Sequence, residues 1–182
     1  TLLVDLLEYG AKSQEYTGFK TDNLATANLT EEQRTCGTST DRELTTVQDV
    51  AYETIENPTV AWKSAGLNLQ KSVEIRVKID ATDVEDMYIK VTSDSGKEWI
   101  IPSEEFEKTD GGHYAYFNKM NSAQMSEALC FTVYEGDVVV SNTLRYSIES
   151  YAYRQLSGTN AKLIALVKAM MKYGDAAKAY IN

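Results

Sequence analysis

The sequence predicts an α+β fold in which an antiparallel, Ig-like β-sandwich is flanked by amphipathic helices at its N- and C-termini. From Tyr52 to Ser147 apolar and polar residues alternate with a period of two, which is typical of strands with one buried face. Both ends of the chain instead repeat apolar and small residues with helical spacing. No helical segment separates the strands as βαβ units would require, so we expect the strands to be antiparallel.

The two terminal helices share one sequence pattern, built around the pairs Tyr9-Gly10 and Tyr173-Gly174. A glycine inside a helix costs about 1 kcal/mol relative to alanine. Glycines at equivalent positions therefore predict that each helix lets another backbone approach closely there, and that the two helices lie near each other or share one sheet face. A cofactor or metal on this face has no ligand residues to support it. A chain that begins and ends with the same helix looks like one period of a modular array.

The 182 residues are sufficient for a single module with its own core. We expect a helix over 1–18, a loop with a short helix over 19–50, the β-sandwich over 51–148 and a helical C-terminal segment over 149–182. Gly18 stands where a helix C-cap is preferred. The run Thr30-Glu31-Glu32-Gln33 matches a capping box at the start of the short helix.

Six to eight short strands are expected in the sandwich, with turn residues between them. The predicted strands are Val73–Ile79, Met87–Val91, Lys97–Ile101, His113–Phe117, Leu129–Tyr134 and Val138–Val140, with Leu144–Ile148 as a further candidate. Turns are expected at Asp94-Ser95-Gly96, Asp110-Gly111-Gly112 and Glu135-Gly136-Asp137.

Composition excludes several classes of function. The net charge of −9 argues against nucleic acid and against an anionic membrane surface, because both need clustered Lys and Arg. The longest apolar run, Leu163–Val167, is far too short for membrane insertion. Thr1 begins inside a helical pattern without a basic region, so we expect an excised piece whose export signal lies elsewhere.

The two cysteines leave two alternatives open. Cys36 and Cys130 have no CxxC spacing, which argues against zinc. A disulfide between them would close a long loop and contribute roughly 4 kcal/mol. Two buried free thiols are the equal alternative, so the cysteines do not decide the compartment.

Catalytic and metal-binding motifs are weak. His113 is the sole histidine, and no Gly-x-Ser-x-Gly motif accompanies it, so we expect a strand residue that is exposed or hydrogen-bonded. We therefore predict no enzyme, no catalytic residues and no cofactor. The acidic loop from Asp80 to Asp86 has oxygen ligands suited to calcium, but its spacing does not match an EF-hand. A solvated acidic turn is the favoured interpretation.

Aromatic residues give the stronger functional indication. If Ile89 faces the core, alternation places Tyr88 on the wet face; if Phe117 faces inward, Tyr114 and Tyr116 point outward together. A row of exposed rings on one sheet face suits sugar stacking. The favoured interpretation, however, is that the rings cover the sheet beneath a helix with their hydroxyls wet, because the terminal helices must pack somewhere. The predicted ligand-binding residues are Tyr88, Tyr114, Tyr116 and Trp99, although Trp99 shares a face with Ile101 and so leans toward the core.

Several segments carry a resemblance to known proteins: Ser122–Asp137, the run Tyr146–Ala152, the helix Ala165–Tyr180 and the opening Leu6–Tyr16 with Asp22–Ala25. Together they resemble helix-bracketed β-sandwich modules of large secreted, multi-modular surface proteins of Gram-positive anaerobic bacteria. The resemblance covers both ends and the last third of the sheet well, and residues 35–100 poorly. It implies an extracellular or cell-surface location beside catalytic, repeat or carbohydrate-binding modules, and it implies no catalytic residues.

The leading functional hypothesis is a non-catalytic extracellular module that serves as a spacer or as an adhesion and ligand-binding domain. The alternative is a carbohydrate-binding module attached to a polysaccharide-degrading or adhering protein. The implied partners are a polysaccharide or cell-surface glycan and the neighbouring modules of the same chain.

Overall fold

The computed structural model describes residues 1–70 and 72–181 and has the α+β architecture that the sequence predicts. Its contacts divide the chain into two compact units. The helical unit comprises Thr1–Thr45, Asn121–Ser126 and the chain from Ala152 onward. The sheet unit comprises Thr46–Met120 and Glu127–Tyr151.

The sheet unit contains two antiparallel sheets. The strands are β1 (Asp49–Glu53), β2 (Trp62–Asn68), β3 (Glu74–Ile79), β4 (Met87–Ser93), β5 (Glu98–Pro102), β6 (Glu107–Thr109), β7 (Gly112–Phe117), β8 (Leu129–Glu135), β9 (Val138–Val139) and β10 (Thr143–Tyr146). The first sheet has the order β1-β10-β8-β4-β5, and β9 adds to β8. The second sheet has the order β2-β3-β7-β6.

Each sheet buries the side chains of one face, and the two buried faces pack against each other as a sandwich. Ile89 and Val91 of β4 are fully buried in the first sheet, and Ala115 and Phe117 of β7 are buried in the second. Phe117 packs edge-on against Phe131 of β8, with ring centroids 6.1 Å apart. This contact joins the inner faces of the two sheets, so the predicted sandwich is confirmed.

The predicted strands all occur, but three observed strands lie outside them. All five residues of β1 are exposed, β2 has an irregular register between Trp62 and Ser64, and β6 is three residues long. None of these three presents a regular alternation, so period-two reasoning misses them. The candidate strand Leu144–Ile148 is too long, because β10 ends at Tyr146 and a helix begins at Ile148.

The helical unit contains α1 (Leu2–Thr17), α2 (Glu31–Arg34), the end of α3 (Ile148–Gln155) and α4 (Ala161–Ile181). The predicted caps are confirmed. Gly18 adopts a left-handed conformation, with φ of 73°, and its N–H donates to the Gln14 carbonyl at 2.9 Å. Thr30 and Gln33 exchange both hydrogen bonds of a capping box.

The terminal helices α1 and α4 pack against each other, as the matching patterns predict. The rings of Tyr9 and Tyr173 stack with centroids 5.9 Å apart and planes 8° apart. Leu2 and Leu3 at the start of α1 line one cleft with Ala179 and Tyr180 at the end of α4, so the helices run antiparallel.

The two matching glycines lie at close contacts, and each receives a different neighbour. A Cβ at Gly10 would lie 3.2 Å from the Ala25 side chain. A Cβ at Gly174 would lie 3.0 Å from the Ser122 carbonyl oxygen and 3.1 Å from the Met125 sulfur. Both helices therefore have a close neighbour at the matching glycine, but the neighbouring residues differ between the two helices.

We predict that Gly174→Leu lowers the free energy of unfolding by about 1–3 kcal/mol, because the new side chain overpacks against the Ser122 backbone and Met125. Ala179→Leu, at an exposed position of the same helix, is the matched control and should change stability by less than about 0.5 kcal/mol. Urea denaturation of both variants measures the difference. Equal midpoints for the two variants would contradict the close-approach explanation.

A second glycine prediction concerns Gly112, the first residue of β7. Gly112 has φ of 144°, and a Cβ there would collide with the Ile79 carbonyl oxygen. Gly112→Ala should therefore cost about 3 kcal/mol through combined backbone strain and overpacking. Gly111→Ala is the control, because its φ of 68° is strained but open space surrounds it, and it should cost about 1–2 kcal/mol. Thermal unfolding that ranks Gly111→Ala as the worse variant would refute this account.

Candidate functional site

The structure separates the predicted site residues between the two sheets. Tyr88 lies in β4 and Trp99 in β5 of the first sheet, whereas Tyr114 and Tyr116 lie in β7 of the second. The expectation that Tyr88 shares one sheet face with Tyr114 and Tyr116 is therefore wrong. Alternation predicts correctly that each tyrosine points away from the core of its own sheet, since their strand neighbours Ile89 and Ala115 are buried.

Tyr88 takes part in a ring stack on the outer face of the first sheet. It lies directly opposite Tyr134 of β8, with ring centroids 5.0 Å apart and planes 5° apart. Beside this pair, Lys90 forms an ion pair with Glu98 at 2.8 Å, and that hydrogen bond raises the pKa of the lysine. Each tyrosine ring thus already has one face covered by an intramolecular partner.

Tyr114 and Tyr116 neighbour each other on the outer face of the second sheet, with ring centroids 6.4 Å apart. Two cations lie over the Tyr114 ring: the Arg76 guanidinium at 4.8 Å and the Lys78 ammonium at 5.6 Å. The Tyr116 hydroxyl donates to the Glu107 carboxylate at 2.8 Å. Burial and this carboxylate raise the pKa of Tyr116, so the phenol stays protonated near neutral pH.

The structure brings Trp99 and Tyr116 together at one cleft of about 280 Å³. Trp99 is half-buried and packs edge-on against Phe117, with ring centroids 5.2 Å apart. The prediction that Trp99 leans toward the core is confirmed by this contact, yet Trp99 also lines the cleft. The cleft residues are Trp99, Ile100, Ile101, Glu105, Tyr116, Phe117, Asn118 and Lys119.

Sequence reasoning missed the polar rim of this cleft: Glu105, Asn118 and Lys119 are exposed and line it. Asn118 and Lys119 follow directly after the predicted strand His113–Phe117, and this adjacency to Tyr116 was a usable signal. Glu105 lies in the 3-10 turn Ser103–Glu105 after β5, and no sequence pattern indicates that this turn faces the cleft.

His113 is a hydrogen-bonded strand residue, as expected. Its ring is 7% exposed, and Nδ1 donates to the Ala81 carbonyl oxygen at 2.8 Å. This bond holds the imidazole inside the sheet unit. The indole of Trp62 in the same unit is also held by a hydrogen bond, because its Nε1 donates to the Asn142 carbonyl at 2.7 Å.

The acidic loop after β3 is organised by its own hydrogen bonds. Asp80 accepts the Ala61 N–H at 2.7 Å and pairs with Lys63 at 3.3 Å. Asp83 accepts the N–H of Glu85 at 3.1 Å, as in an Asx turn. Within residues 1–70 and 72–181, no cluster of three His, Cys, Asp or Glu side chains is arranged to hold a metal ion.

Both cysteines are free thiols in the structure. Cys36 is exposed in the helical unit, and its thiol donates to the Glu32 carbonyl at 3.8 Å. Burial raises the pKa of the half-buried Cys130, so that thiol is a weak nucleophile at neutral pH.

A second cavity, of about 290 Å³, lies within the helical unit between α4, the end of α3 and the segment Thr38–Leu44. The charged lining residues other than Glu43 pair with one another. Asp41 binds Lys168 at 2.8 Å and Lys172 at 3.0 Å, while Arg42 binds Asp175 at 2.6 Å. These ion pairs tie the segment to α4, which explains the rim without a ligand.

The charges of this rim shift the pKa values of its members in opposite directions. Hydrogen bonds from Lys168 and Lys172 lower the pKa of Asp41. Burial alone would lower the pKa of Lys172, but the hydrogen bond and charge of Asp41, with the charges of Glu8 and Asp5, outweigh it and raise the pKa.

Family models, curated proteins and solved structures were all compared with the chain, and none of them matches it. Separately, among the residues that the structure describes, no helix combines the length and apolar character needed to cross a bilayer.

The lowered pKa of Asp41 gives a pH-dependent prediction. Its contribution to stability is present above the ordinary carboxylate pKa of about 3.9 and is lost as the pH falls through the lower folded value. Asp41→Asn should therefore lower stability by less than about 1 kcal/mol at neutral pH, since the pair is exposed, and the difference should vanish in strong acid. Asp22→Asn, at an exposed loop position, is the control and should show no such convergence. Denaturation midpoints measured across this pH range would contradict the account if the Asp41 difference persisted in strong acid.

Proposed function

We propose that this chain is a non-catalytic module of a bacterial extracellular surface protein, where it serves as a spacer or as an adhesion and ligand-binding domain. The observation that carries the proposal is the antiparallel packing of α1 and α4 through the matching residues Tyr9 and Tyr173. Helices of this pattern before and after a β-sandwich in the sequence are what the resemblance to surface-protein modules implies.

The chemistry around His113 supports a non-catalytic role. A general base needs a free ring nitrogen within hydrogen-bond reach of a nucleophile or substrate. The His113 Nδ1–H donates to the Ala81 carbonyl, which leaves Nε2 as the accepting nitrogen, but the residue is only 7% exposed and a substrate has little access to it. The two cavities described above take none of their lining from His113.

We predict that the chain has no hydrolase activity toward peptide, ester or glycan substrates. The measurement is turnover of a substrate panel by the wild type and by His113→Ala. Equal background rates are expected, because the nearly buried His113 offers a substrate little access. Turnover by the wild type that is abolished in His113→Ala would overturn the proposal.

The second candidate is a carbohydrate-binding module attached to a polysaccharide-degrading or adhering protein. The cleft that joins Trp99 and Tyr116 to a polar rim favours it, because sugars bind through ring stacking combined with hydrogen bonds to their hydroxyls. The spacer and the binding module differ in one measurable property, which is affinity for a polysaccharide.

A glycan-array screen of this chain distinguishes the two candidates. Binding to at least one glycan is the expected result for a carbohydrate-binding module, with weak affinity that neighbouring modules would supplement through avidity. A wild-type protein that binds no glycan would leave the spacer role and remove the second candidate.

A further inference from the structure

We propose that the Trp99–Tyr116 cleft binds one neutral pyranose ring, with the Trp99 indole as the stacking platform. This proposal rests on the carbohydrate-binding candidate and adds to it the site, the ligand class and the residues responsible.

The cleft lies where both sheets leave strand edges uncovered. Among the described strands, β5 pairs with β4 alone, so its other edge is open. In the second sheet, β6 covers only Gly112–Tyr114 of β7, and the following residues Ala115–Phe117 are uncovered on that side. The open edges provide backbone donors and acceptors on both walls, which suits a ligand rich in hydroxyl groups.

Both aromatic residues that line the cleft, Trp99 and Tyr116, are held in place before any ligand arrives. Trp99 is fixed by its edge-on contact with Phe117, which is itself 4% exposed. Tyr116 is fixed by its hydrogen bond to Glu107. Preorganised rings lose little conformational entropy on binding, which favours affinity.

The rim chemistry favours an uncharged ligand. Glu105 supplies a carboxylate acceptor and Lys119 an ammonium donor, so the two charges at the rim cancel. The Asn118 amide adds a further polar group and donates to Glu74 at 3.2 Å. Because the cancelled rim charges offer no net attraction to an anion and the whole chain carries a charge of −9, a neutral pyranose is a better match than a carboxylated or sulfated sugar.

The other two predicted ligand-binding residues are poor platforms by comparison. The Tyr114 ring lies under the cations of Arg76 and Lys78, which occupy the surface that a sugar would need. Tyr88 is stacked on Tyr134. They lie outside the cleft and provide matched aromatic controls.

The size of the cleft limits the ligand to a single ring. Its volume of about 280 Å³ is just below the roughly 300–1,000 Å³ common for ligand pockets. We therefore expect the cleft to take a chain end or a branch residue of a neutral polysaccharide.

Affinity electrophoresis in gels that contain a defined polysaccharide tests the proposal. The probes are a β-glucan, a mannan and a xylan as neutral polymers, with polygalacturonate as the anionic comparison. The variants are Trp99→Ala, the conservative Trp99→Phe, and the exposed rim substitution Glu105→Ala, with Tyr88→Ala and Tyr114→Ala as controls. Near-ultraviolet circular dichroism establishes that each variant is folded.

We expect the wild type to be retarded by at least one neutral polymer. Trp99→Ala should weaken that binding about 10-fold or more, and Trp99→Phe and Glu105→Ala by smaller factors. The two control variants should remain within about twofold of the wild type. If Trp99→Ala does not fold, weakening by Trp99→Phe and by Glu105→Ala supports the proposal.

Three results would overturn it, and they are distinguishable. Neutral-polymer binding that survives both Trp99→Phe and Glu105→Ala unchanged would place the site elsewhere and leave the carbohydrate-binding function standing. Retardation by polygalacturonate alone would reject the neutral ligand class. No retardation of the wild type by any polymer would remove the carbohydrate-binding function together with this site.

Discussion

The contact of Phe117 with two aromatic residues of the opposite sheet is the interaction on which the sheet unit depends. Phe117 meets Phe131 edge-on at 6.1 Å and Trp99 at 5.2 Å, and Phe131 is completely buried. Burial of large aromatic side chains dominates the stability of such cores, and truncating one to alanine costs about 3–5 kcal/mol. The same contact sets the position of the Trp99 indole at the edge of the sandwich. Core packing and the candidate binding cleft therefore share residues, because the buried Phe117 and Ile101 also line the cleft.

In the helical unit, the Tyr-Gly pattern repeated in α1 and α4 packs the two helices together, although the two glycines contact different residues. Tyr9 and Tyr173 stack on each other, and burial together with Tyr173 raises the pKa of Tyr9. Nearby, the carboxylate of Asp5 is 1% exposed and accepts two hydrogen bonds from Thr38, through the backbone N–H at 2.8 Å and the hydroxyl at 2.7 Å. A buried charge is tolerated when hydrogen bonds replace its hydration. These two hydrogen bonds anchor the segment after α2 to α1.

Local rules predict most of the elements, because each depends on neighbours in sequence. Alternation indicates β3, β4, β7 and β8, and the caps indicate the end of α1 and the start of α2. What alternation does not specify is the sheet to which a strand belongs. Strands β4 and β7 lie in different sheets, so Tyr88 and Tyr114 do not share the sheet face that the sequence suggests. The pairing of β4 with β8, distant in sequence, depends on long-range packing that no local window contains.

The candidate site likewise has one part that the local sequence predicts and another that only the tertiary packing determines. Trp99 and Tyr116 are identifiable from the sequence because strand position and aromatic chemistry are local properties. Their meeting at one cleft follows from the packing of β5 beside β7, and Glu105 joins them only because the turn after β5 bends toward that edge. Side chains in turns carry no periodic signal, so their orientation emerges from the tertiary structure alone.

The most direct test of the central claim is a nuclear magnetic resonance titration of the ¹⁵N-labelled chain with the neutral oligosaccharide that binds best. Trp62 and Trp99 each give an indole N–H signal, and Trp62 is buried and hydrogen-bonded to Asn142. We expect saturable shifts of the Trp99 indole and of the Asn118 and Lys119 amides, while the Trp62 indole and the amide of Tyr134 stay unchanged. Saturable shifts confined to the face around Tyr88 and Tyr134, with the Trp99 indole unmoved, would contradict the account.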